Sequence, residues 1–206
     1  MRFTQYLLIT AFALMASAAN AGGNPEDIQA LRDLLEPINS LSAQFKQRIT
    51  DPEGFELQSS EGLFQVAQPT KLRWVIEQPM EQQIISDGTT LWIFDPDLEQ
   101  VIIQPFNQDI AATPAILFSG DLDKLDDSYF VRQQTEGTFL LTPEQGGSLF
   151  NNMTLKFENQ QPLSLTLTDN LDQITTINFT AMVLNPSLPN DLFTFEIPAG
   201  VDVINN

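Results

Sequence analysis

Apolar side chains recur at every second residue over most of this chain. Met153, Leu155 and Phe157 alternate with Thr154, Lys156 and Glu158, and Leu163, Leu165 and Leu167 alternate with Ser164, Thr166 and Thr168. Ile177, Phe179, Ala181 and Val183 continue the pattern, and Phe193, Phe195 and Ile197 close it. A period of two sends alternate side chains to opposite faces of a strand, so each such segment has one apolar face to bury. Earlier segments read the same way. They are Leu41, Ala43 and Phe45; Phe64 and Val66; and Leu72, Trp74 and Ile76. Ile84-Ile85, Leu91 to Phe94 and Val101 to Ile103 are further strand candidates, with Asp87-Gly88 and Asp95-Pro96-Asp97 as turns between them. Short strands at this spacing predict a large antiparallel sheet, a barrel or a sandwich.

Two regions depart from that period. Asn24-Pro-Glu-Asp has the form of a capped helix start, and Ile28, Leu31, Leu34, Leu35 and Ile38 follow at helical spacing until Pro37 ends or kinks the helix. Residues 107–120, NQDIAATPAILFSG, carry Pro114 inside and Ile116-Leu117-Phe118 after it. That segment is too broken for a strand and predicts one or two short helices inserted between strands. Residues 121–127, DLDKLDD, predict an acidic turn or helix. Their start resembles a calcium loop, but Leu125 stands where an oxygen ligand belongs.

Residues 1–21 have the plan of a secretory signal peptide: Arg2, an apolar run from Tyr6 to Ala18, then Ala19-Asn20-Ala21 for cleavage. The run is short for a membrane span. Residues 22–206 are expected to form a single domain in an exported compartment, held by its core alone because the chain has no cysteine. Without a cysteine there is also no place for a lipid anchor after the leader.

Composition narrows the chemistry. There is no His and no Cys, which removes Ser-His-Asp, Cys-His and zinc arrangements, so neither an enzyme nor a metal or other cofactor is expected. The 27 acidic residues against 9 basic ones give a formal net charge of -18. That balance opposes nucleic acid as a partner and opposes stable association with anionic lipid, both of which recruit Lys and Arg.

The only two tryptophans, Trp74 and Trp92, fall in neighbouring strand segments, and they lie within stretches that carry a family resemblance. SAQFKQ at 42–47, QPTKLRW at 68–74, SDGTTLWIFDPDLEQV at 86–101, TPAILF at 113–118 and FTFEIPAGVDVI at 193–204 together resemble the outer-membrane lipoprotein carrier protein family (LolA). They stand in family order over nearly the whole chain after residue 21. The resemblance implies an incomplete, unclosed antiparallel β-barrel covered by a lid of short helices, with an apolar cavity inside.

It also implies the work. Such a carrier would be a periplasmic chaperone that takes triacylated lipoproteins from an ATP-driven extractor, an ABC transporter of the inner membrane. It would shield their acyl chains and deliver them to an outer-membrane receptor. A monomer is expected. Under this reading Leu72, Trp74, Ile76, Ile85, Trp92, Phe94 and Ile103 are the candidate cavity lining, and Ile110, Ile116, Leu117 and Phe118 the candidate lid. Phe139, Leu141, Met153, Leu155 and Phe157 are expected in the core. Family members commonly carry an Arg before the Pro that matches Pro69, where it bonds the lid closed; this chain has Gln68 there, which predicts a lower barrier to opening. The alternative reading is a periplasmic lipid- or lipoprotein-sensing regulator of related fold. That class carries a further interaction domain, and none is read here.

Overall fold

The structure is a computed structural model that describes residues 24–106, 116–119, 122, 125–144, 148 and 150–205. The expected leader, Ile110 and most of the 107–120 segment lie outside those residues.

The predicted first helix is α1, Pro25–Leu35. The Asn24 side chain accepts a hydrogen bond from the Glu26 N–H at 3.2 Å, and Glu26 and Asp27 put carboxylates in the first turn, where free N–H groups and the helix dipole favour them. The helix stops two residues before Pro37. Leu31 and Leu35 turn into the core.

The strands follow in order: β1 Ser40–Thr50, β2 Glu56–Ala67, β3 Lys71–Gln78, β4 Gln82–Ser86, β5 Thr90–Asp95 and β6 Gln100–Pro105. Between β6 and the next strand lie α2, Ile116–Ser119, and α3, Leu125–Ser128. Then come β7 Tyr129–Thr135, β8 Thr138–Pro143, β9 Phe150–Glu158, β10 Gln161–Asp169 and β11 Ile174–Leu184. A 3-10 turn over Asn190–Phe193 leads to β12, Asp202–Asn205.

Among the described residues these strands make one 12-stranded sheet in the order β12-β6-β5-β4-β3-β2-β1-β11-β10-β9-β8-β7. Its two ends, β12 and β7, do not pair with each other, so the barrel is unclosed as expected. Every pairing is antiparallel except β12 on β6. The β9–β10 hairpin turns through Asn159 and Gln160, both at positive φ, the geometry that a two-residue turn needs to match the twist of its strands.

Two expectations need correction. Phe193, Phe195 and Ile197 do not form the closing strand. Phe193 ends the 3-10 turn, Phe195 lies against Phe94 with ring centroids 5.2 Å apart, and the true last strand begins at Asp202. The alternation there reflects one-sided burial, not ladder pairing. The phase of β11 also breaks. Ala181 takes a left-handed conformation, φ 48°, and the register with β1 slips beside it. Such a bulge adds one residue and reverses which side chains face inward. Met182 and Leu184 therefore pack on the core, and Val183 is exposed.

Asn185 fastens the end of β11 to the start of β1. Its side-chain oxygen accepts from the Asn39 N–H at 2.7 Å and the Ser40 N–H at 3.3 Å, and its amide donates to the Pro37 carbonyl at 2.9 Å. Asn185 also stands at φ 55°, which Asn tolerates better than most residues. Asn185→Ala is expected to cost about 1–2 kcal/mol, from the lost hydrogen bonds plus backbone strain, and Asn185→Gly less, because glycine keeps the backbone. Urea melts of the two variants side by side check the order.

Candidate binding site on the helix-covered face

Paired residues in an antiparallel ladder point to the same side, so the register assigns every side chain to a face. Phe64 pairs with Trp74, Trp74 with Ile84, Ile84 with Ile93, and Ile93 with Ile102. This row, together with Leu72 and Ile76 on β3, belongs to the face that α1 and α2 cover.

The centre of that face is aromatic. Phe64 is fully buried, and its ring centroid lies 5.2 Å from Trp74, 5.5 Å from Phe179 and 6.1 Å from Phe118. Phe45 also contacts Trp74, with ring centroids 4.6 Å apart. Edge-on and tilted contacts at these separations are the favoured arrangements of aromatic rings. Phe118 is supplied by α2, and its ring sits over the Phe64–Phe179 pair, 6.1 Å from each. Leu117 is buried beside it.

The buried members of this cluster are all apolar, and none carries a charge. Phe139, Leu141, Met153, Leu155 and Phe157 extend it across β8 and β9, as expected of core residues. Tyr129 stands at its margin, stacked on Phe150 at 6.3 Å, and burial pushes its phenol pKa up, so it stays neutral. Among the described residues no cluster of acidic side chains is placed to hold a metal ion. An apolar face of this kind can solvate hydrocarbon.

The seven residues expected to line one cavity are divided by the sheet. Leu72, Trp74 and Ile76 are on the helix-covered face. Ile85 pairs with Trp92, and Trp92 with Ile103, one residue out of phase with the Trp74 row. With Phe94 these point to the opposite face. The two tryptophans are also not on adjacent strands, because β4 lies between them.

The chain segment after β11 covers that opposite face. Phe195 packs on Phe94, and the Lys71 amine donates to the Asn190 side-chain oxygen at 2.7 Å. Ile85 and Val101 are buried there, apart from the main cluster. Sequence reasoning left Phe45, Phe64 and Phe179 out of the candidate site. Their signal was present as alternation, but alternation marks them only as inward, not as central.

Of the lid candidates, Ile110 lies outside the described residues, Ile116 begins α2, and Leu117 and Phe118 are on the cluster. The Gln68 side chain donates to the Ile38 carbonyl at 2.9 Å, which ties the β2–β3 turn to the link between α1 and β1.

Comparison with known proteins agrees with this architecture. The family described as "Outer membrane lipoprotein carrier protein LolA" matches residues 36–196. The chain is similar to the outer-membrane lipoprotein carrier protein of Hahella chejuensis, 39% identical over 209 residues, covering 99% of this chain and 98% of that one. It is similar to the protein of the same name from Chromohalobacter salexigens, 39% identical over 197 residues, covering 94% and 91%. Among solved structures it resembles a LolA superfamily protein from Nitrosomonas europaea, with TM-score 0.50 and 14% identity, covering 82% and 96%.

Proposed function

Because the chain belongs to the outer-membrane lipoprotein carrier protein family, we propose that it carries acylated lipoproteins on the face centred at Phe64. The observation that carries this reading is the apolar sheet face into which a short helix, α2, inserts Phe118. Each acyl CH2 left in water costs roughly 0.8 kcal/mol, so the chains of a triacylated cargo cannot cross an aqueous space bare. A sheet face lined by Trp, Phe, Leu and Ile replaces the bilayer as their solvent. Transfer between two apolar environments is close to balanced, so loading relies on an energy source in the donor, and the carrier needs no catalytic group.

Acyl chains would take the volume that Leu117 and Phe118 now occupy, which makes α2 and the segment before it the lid. Leu72, Trp74 and Ile76 are the part of the expected lining that would touch cargo. Ile85, Trp92, Phe94 and Ile103 would instead anchor the segment after β11. Gln68, a neutral side chain where the family resemblance implies an Arg, would leave the lid easier to open. The remaining steps of the reading are a periplasmic location after loss of residues 1–21, an inner-membrane ABC transporter as donor and an outer-membrane receptor as acceptor.

The test is incubation of the purified protein, freed of residues 1–21, with spheroplasts of its native host making a radiolabelled outer-membrane lipoprotein. The expected result is lipoprotein in the soluble fraction in an equimolar complex with the carrier. Lipoprotein that stays on the spheroplasts, with the protein folded by circular dichroism, counts against the proposal.

A further inference from the structure

The most exposed large hydrophobic side chains of the described residues are Leu171 at 72%, Phe55 at 70%, Leu98 at 68% and Met80 at 67%. All four stand at hairpin turns, and the topology puts all four turns at the same end of the sheet. They join β10 to β11, β1 to β2, β5 to β6 and β3 to β4. These eight strands are consecutive in the sheet, β6-β5-β4-β3-β2-β1-β11-β10, so the tips form an uninterrupted row. With strands spaced roughly 5 Å apart, neighbouring tips stand about 10 Å from one another and the row runs about 30 Å. The described hairpin turns at the other end carry no comparable residue; they read QPT at 68–70, DGT at 87–89, EG at 136–137 and NQ at 159–160.

The four tips share a chemical plan. The segments are DPEGFEL at 51–57, EQPME at 77–81, DPDLE at 95–99 and DNLD at 169–172. Each sets an apolar residue between carboxylates, and none contains Lys or Arg. Three of the turns also fix the apolar residue in place. Asp51 accepts from the Phe55 N–H at 2.8 Å, Asp95 from the Leu98 N–H at 3.1 Å and Asp169 from the Leu171 N–H at 2.8 Å. A turn whose backbone is already held loses little backbone freedom on contact, which favours association.

We propose that this row of apolar tips in an acidic surround is the surface on which a basic protein partner docks. The partner would have apolar recesses to receive the tips and Lys or Arg between them. The inference rests on the carrier reading, because exchange of cargo is what calls for a partner. Charge decides among the occupants. A second copy of this chain would set carboxylates against carboxylates, and an anionic bilayer repels them too. A basic protein surface satisfies both the apolar tips and the acids, and a row of this length fits an ordinary transient interface.

The experiment compares three proteins in spheroplast release and in binding of a fluorescent fatty-acyl probe. They are the wild type, a combined Phe55→Ser, Met80→Ser, Leu98→Ser and Leu171→Ser variant, and a combined Glu53→Lys, Glu81→Lys, Asp97→Lys and Asp172→Lys variant. The three turn-fixing aspartates are left intact. The expected result is unchanged probe binding in both variants with release slowed by about tenfold or more, the size of effect that loss of central interface anchors brings.

Release by the serine variant at the wild-type rate overturns the docking surface and leaves the carrier reading standing. A charge-reversed variant that floats with anionic vesicles and releases faster overturns it in favour of lipid. A wild-type dimer that the serine changes dissolve overturns it in favour of a second copy. A wild type that binds no probe and releases nothing ends both readings together.

Discussion

Phe64→Ala is expected to lower stability by about 3–5 kcal/mol, the range for removing a fully buried aromatic ring. Three observations set it at the high end. The ring is completely buried, it meets Trp74, Phe118 and Phe179 at once, and its strand is held on both sides by β1 and β3, which prevents collapse around the hole. For a chain of this size a loss of that magnitude lowers Tm by about 6–20 °C. Phe64→Leu keeps most of the volume and should cost about 1–2 kcal/mol. Calorimetry of both variants, with urea melts to confirm an unchanged m value, measures the difference. The result bears on function as well as fold. A loss near 1 kcal/mol for the alanine variant would mean that the rings are not packed together in solution, and that the cargo space stands open at rest.

The sheet was largely legible because its strands each bury one face, and burial of one face writes itself into the sequence as a period of two. Leu41, Ala43 and Phe45 are all buried as their alternation requires, and the cap at Asn24 is where the polar-to-helical change puts it. The candidate site was half legible, for a reason of the same kind. Alternation tells which residues of one strand share a side, but not which side of the next strand continues it. That depends on the register, which is set by turn length and bulges. Trp74 and Trp92 looked equivalent on their own strands, yet pairing of Ile84 with Trp74 and of Ile85 with Trp92 sends them to opposite faces.

Gly62 shows how local the control is. The β2–β3 register shifts beside it, and a methyl group there would strike the Val75 carbonyl, so glycine alone lets the strands approach. The segment after β11 misled for another reason. Phe193 and Phe195 are inward-facing without a ladder partner, and a covering segment can alternate as a strand does.

The division of the faces makes the second large prediction. Ile84 and Trp92 are both half-buried, lie on neighbouring strands and face opposite ways. A carboxylate at either position is a comparable burden on the fold, so their variants form a matched pair. Ile84→Glu places an acid beside Trp74, where an acyl chain would have to desolvate it. An unpaired polar group pressed against hydrocarbon costs about 1–3 kcal/mol, so binding of a fatty-acyl probe should weaken about 10- to 100-fold. Trp92→Glu puts the same charge beneath the segment after β11, and probe binding should stay within about threefold of wild type, well under the 1.4 kcal/mol of a tenfold change. Fluorescence titration of the two variants, with circular dichroism to show that both remain folded, decides the matter. If Trp92→Glu were the variant that loses the probe, acyl chains would belong on the face now covered by Phe195. The segment after β11 would then be the lid, and Leu117 and Phe118 of α2 would be ordinary core. Equal, slight effects from both would separate the probe from this part of the sheet and move the cargo space toward β7 to β10.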